Sequence, residues 1–137
     1  MTVQNDSDKT VLVVEDDDTL RLLIVKQLKK LGFEADVSTD GADALNKLKN
    51  KDYVLVLMDI QMPKMDGFEA TAAIRELERS RDVSRIPIIA VTANPERDRC
   101  VEHGMDDFVF KPVMINQLHD VLTKWLPMPS SKSPRCN

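Results

Sequence analysis

The feature that most constrains the fold is an alternation, repeated five times, between a short apolar run and a longer amphipathic run. The short runs have the length and β-branched content of strands, while the longer runs space their apolar residues as helices do. Five such (βα) units predict an α/β fold with a parallel sheet and helices on both faces. The predicted strands are Thr10–Val14, Glu34–Ser38, Val54–Met58, Ile86–Val91 and Asp107–Phe110.

The apolar content of the strands predicts their order in the sheet. The first, third and fourth strands are continuously apolar, as expected of strands buried on both faces. The second and fifth strands are less apolar, which favours positions at or near an edge. Because right-handed crossovers limit the possible topologies, we predict a flavodoxin-like, doubly wound (βα)5 three-layer sandwich with strand order 2-1-3-4-5.

Helix boundaries follow from capping and turn residues. Gly32 is predicted to end the first helix. The fourth helix is predicted over Glu96–His103, with Pro95 before it and Gly104 after it, and the last helix runs through Trp125. The residues predicted to cap or begin the other helices are Asp18, Asp40, Asp66, and Asn116 or its neighbours.

The length of 137 residues fits one domain, predicted over residues 9–126. Residues 1–8 are polar and residues 127–137 are rich in Pro and Ser, so both segments are predicted to be disordered. No apolar run is long enough to span a bilayer and the N-terminus has no apolar signal region, so we expect a cytoplasmic chain without membrane insertion. Met1 and the polar ends favour a free-standing chain or a fragment cut from a longer one.

Charge and cysteine content exclude several classes of function. The net charge is −4, and Lys and Arg do not accumulate on one segment, which argues against nucleic-acid binding. Cys100 and Cys136 have neither the spacing of a metal site nor that of a disulfide framework, so both are interpreted as free thiols.

Acidic residues follow two of the buried strands at the end where α/β sheets carry their chemistry. Glu15 and Asp16 follow the first strand, and Asp59 follows the third. Carboxylates this close repel one another and raise one another's pKa values, so a positive group should offset them. Mg²⁺ fits, because it binds carboxylates, water and phosphoryl oxygens. Asp17 and Asp18 are instead interpreted as acids that complement the dipole of the following helix.

Two further residues map to the same edge of the predicted sheet. Thr92 follows the fourth strand, and Lys111 follows the fifth and is held in a turn by Pro112. Either residue alone would be unremarkable. Together with the three acids, however, they form a set of five polar residues on one rim of one sheet.

These residues lie within four motifs that resemble those of receiver domains of two-component response regulators. Each motif is weak alone, but four in order with family-typical spacing are highly specific. The resemblance runs from about Lys9 to Leu126, and it extends to chemotaxis-regulator-like single domains and to the receivers of hybrid sensor kinases. The motifs are Val13–Asp16, Leu57–Gly67, Ala90–Ala93 and Phe110–Pro112.

The resemblance implies a role for each acid. Asp59 would accept a phosphoryl group from a phosphohistidine on a partner, forming an aspartyl-phosphate. Asp16 and Asp59 would bind Mg²⁺ directly, together with the backbone carbonyl of Gln61, and Mn²⁺ could substitute. Glu15 would act mainly through metal-bound water, because it is longer than the Asp that many relatives have at this position.

The resemblance also implies a switch. Lys111 would pair with the phosphoryl oxygens and Thr92 would donate its hydroxyl to one of them. Movement of Thr92 would let Phe108 turn inward, although plain core packing explains Phe108 equally well. Gln61 and Asn94 occupy positions at which family members vary in hydrolysis rate, and neither residue is acidic.

The implied partners are a histidine kinase or a histidine phosphotransfer protein, and a downstream protein target. The target would bind the output face (the α4-β5-α5 face of the family), formed by Glu96–His103, Asp107–Phe110 and Asn116–Trp125. We expect a monomer or a weak dimer. We expect a single-domain regulator that works in a relay, with the receiver module of a hybrid sensor histidine kinase that passes its phosphoryl group to a histidine phosphotransfer protein as the alternative.

Two other classes of protein share this topology. A Mg²⁺-dependent aspartate-nucleophile phosphatase would need a second acid two residues after the nucleophile, where this chain has Gln61. A flavin-binding protein would need a Gly/Ser/Thr-rich loop after the first strand, where this chain has Glu15–Asp18. We therefore expect a phosphoacceptor without separate substrate turnover.

Overall fold

The computed structural model describes residues 10–60, 66–94 and 100–126, without the side chains of residues 100 and 101. Five parallel strands form one sheet in the order β2-β1-β3-β4-β5, which confirms the predicted order and the edge positions of β2 and β5. β3 begins and ends one residue later than predicted, and β4 begins two residues later and ends one residue later. The strands are β1 Thr10–Val14, β2 Glu34–Ser38, β3 Leu55–Asp59, β4 Ile88–Thr92 and β5 Asp107–Phe110.

The helices follow the strands as predicted, with corrections at two boundaries. The prediction that Asp18 caps the first helix was wrong, because the Asp17 carboxylate accepts the Leu20 N–H at 2.9 Å and Asp18 lies in the first turn. Of the predicted fourth helix, residues 96–99 lie outside the described residues, and Cys100–His103 form a 3-10 helix. The other helices are α1 Asp18–Lys30, α2 Gly41–Asn50, α3 Gly67–Arg81 and the C-terminal helix Ile115–Trp125.

The core has two halves, one on each face of the sheet. The first lies under α1 and the C-terminal helix and includes Ile24, Leu28 and Leu118. The second lies under α2 and α3 and includes Ala44 and Ile74. The molecule is therefore the predicted three-layer sandwich. Within residues 10–60, 66–94 and 100–126, no helix is long and apolar enough to cross a membrane.

The start of α3 packs directly on the end of β3. The Gly67 N–H donates to the Ile60 carbonyl at 2.9 Å, and a Cβ on Gly67 would lie 2.6 Å from the carbonyl oxygen of Asp59. No side chain fits there, so glycine is required for this approach. Asp66 and Glu69 form a reciprocal capping box that fixes where the helix begins.

A buried arginine links α3 to the end of the sheet at which β4 and β5 begin. The guanidinium of Arg75 donates to the carbonyls of Gly104 (3.0 Å) and Ile86 (2.8 Å). It also pairs with the carboxylates of Glu78 (3.0 Å) and Asp106 (2.8 Å). Because Ile86 precedes β4 and Asp106 precedes β5, this one side chain links the starts of two strands to α3.

We predict that Arg75→Ala lowers the free energy of unfolding by about 3 kcal/mol, because it leaves the half-buried Glu78 carboxylate without a cation and leaves Asp106 paired with Arg85 alone. Urea denaturation measures the loss. The control is Arg79→Ala on the same helix, since Arg79 pairs with Glu76 in solvent and its loss should cost under about 1 kcal/mol. Equal losses in the two variants would contradict the prediction.

Candidate functional site

Three carboxylates meet at the carboxyl-terminal edge of the sheet. Glu15 and Asp16 directly follow β1, Asp59 ends β3, and β1 pairs with β3 in parallel. One carboxylate oxygen of each residue lies within 4.8 Å of one oxygen of each of the others. Glu15 and Asp59 are buried, at 2% and 1% exposure, whereas Asp16 is exposed. The structure thus brings together the three acids that the sequence singled out.

Lys111 supplies a positive charge to this cluster. Its ammonium lies 2.8 Å from Oδ1 of Asp59, and its backbone N–H donates to the Thr92 carbonyl at 2.9 Å. Burial opposes the charged form of the amine. The hydrogen bond to Asp59 and the charges of Asp59, Glu15 and Asp16 outweigh that effect and raise the pKa of Lys111 above its usual value. Lys111 is therefore protonated at neutral pH.

Thr92 completes the rim on the side of Asp59 that faces away from Glu15 and Asp16. It ends β4 one residue beyond Val91, the partner of Asp59 in the sheet, and it is buried. Its hydroxyl oxygen accepts the N–H of Asn94 at 2.9 Å. Five of the predicted site residues therefore lie on one rim with Asn94 beside them, whereas Gln61 lies outside the described residues.

The backbone and side chain of Glu15 are both held in place. Its N–H donates to the Ser38 carbonyl at 2.9 Å, and its own carbonyl accepts the Nη1–H of Arg21 at 3.0 Å. Carboxylate oxygen Oε2 accepts the N–H of Asp17 at 3.2 Å. The other oxygen, Oε1, is buried and receives no N–H or O–H donor from the described residues. One oxygen of Glu15 is thus left available within the cluster.

The environment of Glu15 resists a negative charge. Burial raises its pKa, and the charge of Asp59 raises it further. The N–H of Asp17 and the charge of Lys111 act in the opposite direction, and the resulting pKa is about 8. A divalent cation would remove the penalty on the ionised form. An all-oxygen donor set with one undonated buried oxygen therefore fits Mg²⁺.

Phe108 lies outside this cluster. It sits on β5, half-buried against the α2 and α3 half of the core, and contacts the Phe110 ring edge-to-face with centroids 5.4 Å apart. β5 is paired so that Ala90 lies opposite Phe108 and Thr92 opposite Phe110. Since side chains alternate along a strand, Thr92 and Phe108 lie on the same face of the sheet.

Sequence reasoning missed Arg21 and Gly67 as residues that shape the site. The Asp18–Arg21 ion pair has the i,i+3 spacing of a helix and was detectable as a pair. The contact of Arg21 with the Glu15 carbonyl depends on the path of the loop between β1 and α1. The packing of Gly67 on Asp59 likewise depends on how α3 meets the sheet.

Comparison with known families identifies the family of the chain. The family model of the response regulator receiver domain matches residues 11–123. The chain belongs to the response regulator receiver domain family. The gathered acids, Thr92 and Lys111 are therefore the polar residues at the carboxyl-terminal edge of a receiver fold.

Similar curated proteins are much longer than this chain. The hybrid signal transduction protein dokA of Dictyostelium discoideum is 41% identical over 131 residues, covering 96% of this chain and 8% of dokA. The sensor histidine kinase RcsC of Escherichia coli K12 is 40% identical over 124 residues, covering 88% of this chain and 12% of RcsC. The receiver matches only a small part of each relative.

Two solved structures are informative neighbours. One is the receiver domain of sensor histidine kinase PA1611 from Pseudomonas aeruginosa, with a magnesium ion coordinated in its active site cleft. It is 35% identical to this chain with a TM-score of 0.77, and the match covers 85% of this chain and 96% of that one. The other is a chain of the co-crystal structure of Saccharomyces cerevisiae Ypd1, a histidine phosphotransfer protein, with the receiver domain of Ssk1. It is 27% identical with a TM-score of 0.80, and the match covers 85% of this chain and 88% of that one.

The raised pKa of Glu15 predicts a pH dependence of stability. An acid whose pKa rises from 4.5 to about 8 on folding favours the folded state below the lower value and loses that contribution as pH rises through the upper one. The metal-free receiver should therefore lose stability between pH 5 and 8, with a slope of at most about 1.4 kcal/mol per pH unit.

Chemical denaturation in EDTA at several pH values measures this slope. Glu15→Gln should flatten it, because the glutamine does not titrate. A Glu34→Gln variant is the control, since Glu34 is an exposed glutamate on β2 far along the strand from the rim. An identical slope in the wild type and in Glu15→Gln would show that Glu15 ionises normally.

Proposed function

We propose that this receiver is a phosphoacceptor in a two-component phosphorelay and that Asp59 takes the phosphoryl group from a phosphohistidine of a partner. The observation that carries the proposal is the ammonium of Lys111 at 2.8 Å from the buried Asp59 carboxylate, beside Glu15 and Asp16. This arrangement pairs a nucleophile with a cation at the end of a strand, where a phosphoryl donor can approach.

The chain's own residues would position and neutralise the reacting group. An oxygen of Asp59 attacks phosphorus, the bond from phosphorus to the histidine nitrogen breaks, and the imidazole leaves with the electron pair. Lys111 moves from the Asp59 carboxylate to a phosphoryl oxygen, and the Thr92 hydroxyl donates to another. Phosphoryl transfer depends mainly on such positioning and charge stabilisation.

The acidic cluster would hold Mg²⁺ for this reaction. Asp16 and Asp59 are the proposed direct ligands with the backbone carbonyl of Gln61, and Glu15 acts through a bound water. When bound, Mg²⁺ offsets the charge of the carboxylates and of the phosphoryl oxygens. Mn²⁺ can substitute, because it also accepts carboxylate, carbonyl and water ligands.

Phosphorylation would be read out through Thr92 and Phe108. When the Thr92 hydroxyl turns toward the phosphoryl group, space opens on the face that it shares with Phe108, and the ring turns inward. The half-buried position of Phe108 supports this, since the ring is already in contact with the core. The output face then changes shape and controls the binding of a downstream protein.

Gln61 and Asn94 are proposed to set the lifetime of the phosphoryl group. Asn94 is next to the site, since its N–H contacts the Thr92 hydroxyl. Neither residue can act as an ionised general base toward water. Their effect would therefore be on the space and hydrogen bonding available to an attacking water.

The proposed partners are a histidine kinase and a histidine phosphotransfer protein. The similarity to dokA and RcsC favours a receiver module of a hybrid sensor kinase over a single-domain regulator, and the similarity to a receiver crystallised with Ypd1 favours a relay. Membership of the receiver family favours both over the aspartate-nucleophile phosphatase and over a flavin-binding protein.

Asp59→Asn should abolish phosphorylation and leave the fold intact, because the amide is a poor nucleophile of similar shape. Intact mass after incubation with acetyl phosphate, with and without Mg²⁺, measures the outcome. The wild type should gain one Mg²⁺-dependent phosphoryl adduct. The control Asp120→Asn, on an exposed part of the C-terminal helix, should gain it too. A stable adduct on Asp59→Asn would show that the acceptor is wrong.

Asp16→Asn should weaken Mg²⁺ binding by about tenfold or more, because it removes one carboxylate ligand. It should also relieve repulsion within the cluster, so that the metal-free stability is equal to or higher than that of the wild type. Titration calorimetry and thermal unfolding in EDTA measure the two effects. A clear loss of metal-free stability would mean that Asp16 makes structural hydrogen bonds instead.

A further inference from the structure

We infer that Arg21 is a positioning residue of the acidic cluster, which fixes the main chain of Glu15 and so directs the Glu15 carboxylate toward Asp59. The inference rests on the proposed function, since this orientation matters chemically only if the cluster binds Mg²⁺. Arg21 itself touches none of the reacting groups and would act only through Glu15.

The geometry of Arg21 distinguishes it from an ordinary surface arginine. It lies in α1, and its side chain is only 19% exposed. Nη1 donates to the Glu15 carbonyl at 3.0 Å, and Nη2 donates to the Asp18 carboxylate. The planar guanidinium makes two directed contacts at once. It therefore closes the loop between β1 and α1 from the helix side.

Arg21 links the main chain of Glu15 to α1, and a second hydrogen bond links it to β2. The Glu15 N–H is bound to Ser38 of β2, whereas Asp17, which donates to Oε2, belongs to the same short loop. Without Arg21, the Glu15 carbonyl and the peptide that follows it lose their link to α1. The loop would then lose the contact that keeps Oε1 among the three carboxylates.

Glutamate has more need of such a tie than aspartate. Its side chain has one more rotatable bond, so more side-chain entropy must be lost to hold its carboxylate in one place. Fixing the main chain at both the N–H and the carbonyl reduces the number of positions that this carboxylate can reach. The arrangement adapts the loop to the longer acid at position 15.

The charge of Arg21 is also directed away from the metal-binding oxygens. Four consecutive acids, Glu15–Asp18, precede it. The hydrogen bonds of its guanidinium to described residues go to the Glu15 carbonyl and to the Asp18 carboxylate, not to the clustered carboxylates. Arg21 can therefore order the loop and neutralise Asp18 without competing with a cation for Asp16 or Asp59.

Titration calorimetry with MgCl₂ tests the inference on the wild type, Arg21→Gln, Arg21→Lys and the control Arg79→Gln. Arg79 has the same i,i+3 pairing with an acid, Glu76, on an exposed helix face, but no link to the cluster. We expect Arg21→Gln to raise the Mg²⁺ Kd about tenfold with little change in metal-free Tm. Arg21→Lys should recover part of the loss, and Arg79→Gln should match the wild type.

Each outcome bears on the inference. An unchanged Kd in Arg21→Gln overturns it, as does an equal rise in the Arg79→Gln control. If Arg21→Gln does not fold, Arg21→Met provides the same test, since it keeps the alkyl stem and removes the donors. Unfolding of both variants would mean that Arg21 supports the whole fold, which also overturns the inference. If the wild type binds no Mg²⁺, the metal site of the proposed function fails as well.

Discussion

The repulsion among three carboxylates at one edge of the sheet is the constraint on which the rest of the site depends. The parallel pairing of β1 with β3 brings Glu15 and Asp16 next to Asp59, and burial makes the charges of Glu15 and Asp59 harder to tolerate. Lys111 offsets part of this charge at 2.8 Å from Asp59. Burial and the charge of Asp59 still raise the pKa of Glu15 in the metal-free chain, so Lys111 does not offset them fully.

The rest of the fold holds this unfavourable cluster in place. The two halves of the core fix the strands, and the buried Arg75 ties α3 to the strand starts at the edge opposite the cluster. At the other end of α3, Gly67 packs on the carbonyl of Asp59. The same helix is therefore anchored at one sheet edge by an ionic network and at the other by the backbone that carries the acceptor. The ionic network of Arg75 and the acidic cluster therefore lie at opposite ends of the strands.

The sequence predicted the fold well where the burial of a segment leaves a local pattern of apolar residues. Strands buried on both faces are continuously apolar, and the two less apolar strands lie at the edges. The errors occur where the pattern is locally ambiguous. Asp17 and Asp18 are both good capping residues, and only the path of the loop decides between them. Similarly, β3 extends to Asp59 because its pairing with β4 continues past the apolar run.

By itself, the sequence determined which chemical groups the site contains and which edge of the sheet carries them, because strand direction and strand order follow from local patterns. Tertiary structure alone decided how those groups are held. The burial of Glu15, the raised pKa of its carboxyl group, and its contacts with Ser38 and Arg21 all depend on segments that meet only after folding. Desolvation and hydrogen-bond geometry are properties of the packed chain, so neither can be read from residue order.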